Sequence, residues 1–137
     1  MGIRSSKQRY LLDTNVWIWL NGMPEKIGAD VLRALERPQS HLFLSAVSGW
    51  EVAVKHAAGK LTLPRVPELF FAERIQALSM EVVPIELRHT FAAANLPMHH
   101  RDPFDRLLVA QAQLENLILV TSDRLLKQYE CELWFVE

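Results

Sequence analysis

Three short runs of this chain are apolar at every position: Tyr10-Leu11-Leu12, Leu42-Phe43-Leu44 after His41, and Leu117-Ile118-Leu119-Val120. A strand with one solvated face alternates apolar and polar residues, so a run without alternation reads as a strand covered on both faces. Helical spacing fills the intervals. Ile27, Val31, Leu32 and Leu35 lie on one side of a helix closed by Pro38. Trp50, Ala53, Val54, Ala57 and Ala58 predict the buried stripe of a second helix, capped by Ser45 and ended by Gly59. Helices are also expected over 68–79, 86–95 and 103–115, with further strands at 80–84 and 133–136. Strands alternating with helices indicate an α/β domain whose mostly parallel sheet is covered on both faces.

The bulk numbers fit that reading. At 137 residues, half of them hydrophobic, the chain suits a single domain over 1–137 and argues against disorder. Residues 1–8 are basic, lack a following signal-peptide core, and read as a flexible N-terminal extension. Its Gly2 and Ser6 match a myristoylation pattern too short to carry an assignment. No apolar run approaches the roughly 18 residues that cross a bilayer. One cysteine, Cys131, excludes an intrachain disulfide and favours a reducing, cytoplasmic setting. A net charge of −1 provides no global basic field for a polyanion, so positive charge would have to come from metal ions or a local rim.

In an open parallel sheet, functional groups gather beyond the C-terminal ends of the strands. Asp13 follows the first run directly, and Asp123 follows the fourth strand after Thr121 and Ser122. Glu51 lies on the second turn of the helix after the second run, while Asp102 and Asp105 open the helix before the fourth strand. Each has an ordinary explanation. An Asp at a helix start caps free N–H groups and suits the helix dipole. Asp102 before Pro103 reads as the N-cap, with Asp105 at the third helical position. Glu51 stands past any cap, but Lys55 four residues on offers an ion pair.

The conjunction says more than its members. Crowded carboxylates repel one another, and a hard divalent cation is the usual explanation for such a set. Oxygen ligands without a Cys/His pattern favour Mg²⁺, with Mn²⁺ able to substitute, over zinc. A carboxylate-held metal at a partly open site suits phosphoryl chemistry.

Four segments resemble the PIN-domain nucleases, and among them the VapC-like toxins of bacterial toxin–antitoxin pairs. They are Leu12-Asp13-Thr14-Asn15, Ser48-Gly49-Trp50-Glu51, the stretch Asp102-Pro103-Phe104-Asp105-Arg106 with the helix to Ala112, and Thr121-Ser122-Asp123. They occur in the family's order and span nearly the whole chain. The resemblance implies a three-layer α/β/α fold and a metal-dependent endoribonuclease that hydrolyses RNA phosphodiesters. It implies catalytic, metal-binding acids at Asp13, Glu51, Asp105 and Asp123, with Asn15 and Thr121 orienting ligands and Asp102 in support. It also implies a homodimer held inactive by a small antitoxin, through which the complex would bind operator DNA.

Lys55, Arg101 and Arg106, with His99 and His100, are candidates for a local basic rim that binds substrate. His56 and His89 read as surface or core-edge residues. Two alternatives stand beside the nuclease: a non-catalytic interaction module on the same fold, and an aspartyl-phosphate phosphatase. Asp13-Thr14-Asn15 lacks the second nearby Asp that haloacid-type phosphatases need.

Overall fold

The computed structural model describes residues 8–136. The expected flexible extension, residues 1–8, lies outside them except for Gln8, whose carbonyl accepts a hydrogen bond from His41 N–H at 2.8 Å. Strand pairing therefore begins where the extension was expected to continue.

In chain order the elements are β1 (Arg9–Leu12), α1 (Thr14–Leu20), a 3-10 turn at Pro24–Lys26, and α2 (Ala29–Leu35). β2 (His41–Ser45), α3 (Ala46–Ala57), α4 (Pro67–Ala77), β3 (Glu81–Val83) and α5 (Leu87–Asn95) follow. The chain closes with α6 (Pro103–Glu115), β4 (Ile118–Thr121), a 3-10 turn at Arg124–Gln128 and β5 (Leu133–Phe135). The five strands form one sheet in the order β3-β2-β1-β4-β5, and every pairing is parallel.

Successive side chains of a strand point to opposite faces, and the core divides accordingly. Tyr10, Leu12, Leu42, Leu44, Ile118 and Val120 pack with Trp17, Ile27, Val31, Leu35 and Phe70 on one face. Leu11, Phe43 and Leu119 pack with Val47, Leu108, Val109, Ala112 and Leu126 on the other. This is the three-layer α/β/α arrangement, and it explains why the central strands are apolar throughout. From β1 the chain builds outward through β2 and β3, then returns to the other side of β1 to add β4 and β5. The strand order thus reverses between β1 and β4, which opens a crevice at their C-terminal ends.

One helix is rotated from expectation. In α3 the buried residues are Val47, Ser48 and Val52, while Trp50 and Val54 are exposed. The helix is apolar around most of its circumference, so spacing alone cannot choose its buried arc. Polar bonding settles the rotation: Ser48 and Glu51 both meet Thr14 of α1. The expected C-terminal signal holds, since Gly59 has φ of 75° just past the Ala58 cap. The helix before Pro38 is shorter than its apolar pattern, because Gly28 at φ 91° separates Ile27 from α2. His89, expected at the surface or core edge, is 1% exposed.

Candidate metal centre

The crevice between β1 and β4 gathers carboxylates because each strand there ends in a residue that starts a helix or turn. Asp13 N–H donates to Val120 O at 3.0 Å, which ties the two strand ends together. Its Oδ1 accepts from Val16 N–H at 2.8 Å and so caps α1. Its Oδ2 accepts from the Thr121 hydroxyl. Asp13 is buried, and burial raises its carboxyl above the ordinary range. Hydrogen bonds from Thr121 and the backbone of Val16 and Ser122 oppose that rise, while the charge of Glu51 adds to it.

Thr121 serves both strand-end acids. Its hydroxyl oxygen also accepts from Asp123 N–H at 3.0 Å, and Asp123 Oδ1 caps the following turn by accepting from Leu125 N–H at 3.0 Å. The second oxygen of Asp123 remains for the crevice.

The third acid arrives on α6. Asp102 is the N-cap, accepting from Phe104 N–H at 2.9 Å, and Pro103 follows as the first helical residue. The first turn then presents Asp105 to the same crevice. Burial first, then the nearby charge of Asp102, pushes the Asp105 carboxyl up to about 7. His100 opposes that shift, while Asp123 and Asp13 add to it. The acids on β1, β4 and α6 therefore act on one another.

His100 stands among them. Its Nδ1 accepts from Asp102 N–H at 3.0 Å, which leaves the ring proton on Nε2. Nε2 lies 2.7 Å from Asp123 Oδ2 and 3.2 Å from Asp105 Oδ2. One ligand atom each from His100, Asp105 and Asp123 falls within 4.8 Å of the others.

Glu51 approaches from α3. The Thr14 hydroxyl donates to Glu51 Oε1 at 2.7 Å and lies 2.9 Å from the Ser48 hydroxyl. Lys55 Nζ donates to Glu51 Oε2 at 2.9 Å, so the expected ion pair is present.

The remaining expected residues divide. Asn15 and Arg101 are exposed. Arg106 is a correction: it is buried, and its guanidinium donates to the carbonyls of Ala93, Leu96, Pro97 and His100. It fastens the loop before α6 to the end of α5 and does not stand on a rim. Thr14, Ser48 and the inward position of His100 were not anticipated. Their signals are local: Thr14 adjoins Asp13, Ser48 is one helical turn before Glu51, and His100 is two residues before the Asp102 cap.

The donor set suits a hard divalent cation. It is made of carboxylate oxygens, with the His100 Nε2–H directed at two of them, and the Asp105 and Asp123 side chains are 24% and 29% exposed, which leaves the crevice open on one side. Among the described residues, no Lys or Arg side chain pairs with Asp105 or Asp123.

Comparison with known proteins agrees with this architecture. In solved structures the fold is similar to "VapBC2 from Rickettsia felis bound to a DNA fragment from their promoter", with a TM-score of 0.70 and 17% identity over 94% of this chain and 99% of that one. VapBC from Salmonella typhimurium, also DNA-bound, gives 0.62 and 18%, covering 93% and 97%. FitAcB from Neisseria gonorrhoeae gives 0.61 and 20%, covering 91% and 96%. Comparison with curated protein sequences gives no significant match. The family model for the PIN domain matches residues 10–130, which takes in β1 from Tyr10, β2, β3 and β4 and every acid of the crevice, and ends before β5. The chain belongs to the PIN-domain family.

Proposed function

We propose that this chain is a metal-dependent endoribonuclease that hydrolyses RNA phosphodiester bonds and acts as the toxin of a toxin–antitoxin pair. The observation that carries the reading is the convergence of Asp105 and Asp123 on His100 at the strand-order reversal, with Asp13 near enough for its charge to act on Asp105 and Glu51 near enough to act on Asp13. Asp13, Glu51, Asp105 and Asp123 would hold Mg²⁺, or Mn²⁺ in its place. When bound, such an ion polarises a phosphoryl oxygen and makes water a better nucleophile.

The chain's own groups supply position. Thr121 orients Asp13, Thr14 and Ser48 orient Glu51, and Asp102 fixes the start of α6 so that Asp105 faces inward. His100 Nε2 carries a proton between Asp105 and Asp123. Exposed Arg101 is a cation at hand for flanking phosphates, as is Lys55 where it leaves its 2.9 Å pair with Glu51, and Asn15 is a polar group at the same strand end. A phosphatase using Asp13 as nucleophile is disfavoured, since Asp13-Thr14-Asn15 lacks the second nearby Asp that such an enzyme needs. A non-catalytic module has no observation in its favour.

The partner reading is supported by the company the fold keeps, which includes toxin–antitoxin complexes bound to DNA. We take the partner to be a small antitoxin, the chain to be a homodimer, and operator DNA to be contacted only through the antitoxin. A cytoplasmic setting goes with this. Among the described residues, no helix is long and apolar enough to cross a membrane.

The test is direct. The purified chain should cleave RNA with Mn²⁺ or Mg²⁺ and stop in EDTA. Asp13→Asn and Asp105→Asn should each reduce cleavage by about a hundredfold or more while the variants stay folded. Full activity of either variant, or cleavage undiminished by EDTA, would sink the assignment.

A further inference from the structure

α3 turns outward an aromatic side chain that its apolar spacing would have buried. Trp50 is 62% exposed, whereas Trp17 on the opposite side of the sheet is fully buried. Leaving most of an indole in water forgoes a large burial gain, so its position calls for a use. Among the described residues its aromatic neighbour is Phe104, edge to face with the ring centroids 5.2 Å apart and the planes at 66°. That contact braces the indole without covering it.

The place of the pair is informative. Trp50 immediately precedes Glu51, and Phe104 immediately precedes Asp105. The two rings therefore bridge α3 and the first turn of α6 at the border of the acid crevice. The exposed cations Lys55 and Arg101 belong to the same helix and to the loop that leads into α6. Acids for a metal, cations for phosphates and an open aromatic face make the combination that binds a strand whose bases are unpaired. A duplex keeps its bases stacked inside and would offer that face nothing.

We propose that Trp50, braced by Phe104, is the platform on which an unpaired nucleobase next to the scissile phosphate stacks. This rests on the ribonuclease reading and adds to it the residue that holds the base beside the cleaved bond. Trp50 is a binding residue here, and it takes no part in bond breaking.

The test uses the whole chain and a short mixed-sequence single-stranded RNA, with its annealed duplex as control. Adding the single strand should quench tryptophan emission, and Trp50→Phe should abolish that quenching while keeping affinity within about threefold. Trp50→Ala should weaken binding by roughly tenfold, expressed in KM with kcat nearly unchanged. The duplex should bind wild type and Trp50→Ala alike. Val54→Ser, one turn along the same exposed face, should have no effect.

If wild type cleaves RNA with Mn²⁺ but Trp50→Ala binds the single strand as well as wild type does, the platform is wrong and the ribonuclease reading stands. Unchanged RNA binding together with an altered oligomeric state in both Trp50→Ala and Val54→Ser also overturns it, and makes the face a protein interface. If wild type neither cleaves nor binds RNA with any divalent metal, both readings fall together.

Discussion

Two clusters in this molecule have almost the same parts. At the C-terminal edge of the sheet, His100 lies between Asp105 and Asp123. At the far end of α6, His89 lies between Glu86 and Glu115. In both, the imidazole accepts a backbone N–H on Nδ1, from Asp102 in one and Glu86 in the other, and presents Nε2 to carboxylates. The difference is Arg88, which pairs with both Glu86 and Glu115. Its charge, with its hydrogen bond to Glu86, holds that carboxyl below the usual range. In the crevice, Asp105 is raised to about 7 by burial and by other acids. The second cluster thus carries its own cation and serves to dock α5 on α6. Among the described residues, the carboxylates of the crevice cluster have no Lys or Arg to answer their charge, and those of the second cluster do.

Substitution should separate the two most sharply in catalysis. Asp105→Asn is expected to remove metal-dependent cleavage, a loss of about a hundredfold or more, whereas Glu115→Gln should leave the cleavage rate of folded protein within about twofold. Single-turnover rates on the same RNA would check this. Equal losses from both would erase the distinction drawn from Arg88.

Stability should reverse the ranking. His89 is fully buried and bonds to Glu86 N–H and Glu115, with Gln111 alongside. His89→Ala should cost about 2 kcal/mol, or several degrees of Tm, by leaving these groups without a partner and opening a cavity. Thermal melts would show whether His100→Ala, in a more open site, costs less.

Metal binding gives a third contrast of similar size. Mn²⁺ at about a hundred times its dissociation constant should stabilise the wild type by about 2.7 kcal/mol. The shift should vanish in Asp105→Asn and persist in Glu86→Gln. Persistence in Asp105→Asn would relocate the metal.

These contrasts also show what could be read without coordinates. The fold was legible because β1, β2 and β4 each carry a run of three or more consecutive apolar residues, as strands of a sheet covered on both faces do. Asp13, Asp102 and Asp123 were each readable as caps, and each does cap a helix or turn. What looked like a choice between capping and chemistry was a false one, since a strand end followed by a helix start places a carboxylate at the sheet edge whatever its other use. The rest depended on rotation and reach. The stripe through Trp50 and Val54 has helical spacing, yet the Ser48 and Glu51 bonds to Thr14 turn it outward. Arg106 sits beside Asp105 in sequence but points back to the carbonyls of the preceding loop. His100 had one local sign, its place two residues before the Asp102 cap, but its reach over the acids depends on how the loop before α6 folds back.

The smallest contrast concerns pH, and its sign differs between the clusters. Asp105 in the folded chain holds its proton up to about 7, against an ordinary value near 3.8. A raised folded value contributes stability that is complete below the unfolded pKa and lost as pH climbs through 7. Without metal, the chain should therefore gain roughly 1 kcal/mol, a few degrees of Tm, between about pH 8 and about pH 6. Glu86 is lowered, so its contribution is present above its ordinary value of 4.5 and fades only as pH falls below that. The two windows meet only at about pH 4, so between about pH 6 and 8 the slope belongs to Asp105 and not to Glu86. Asp105→Asn should flatten the slope between pH 6 and 8, and Glu86→Gln should leave it intact. A wild-type melting temperature that rises with pH across that window would mean that burial and the neighbouring acids do not hold the proton on Asp105.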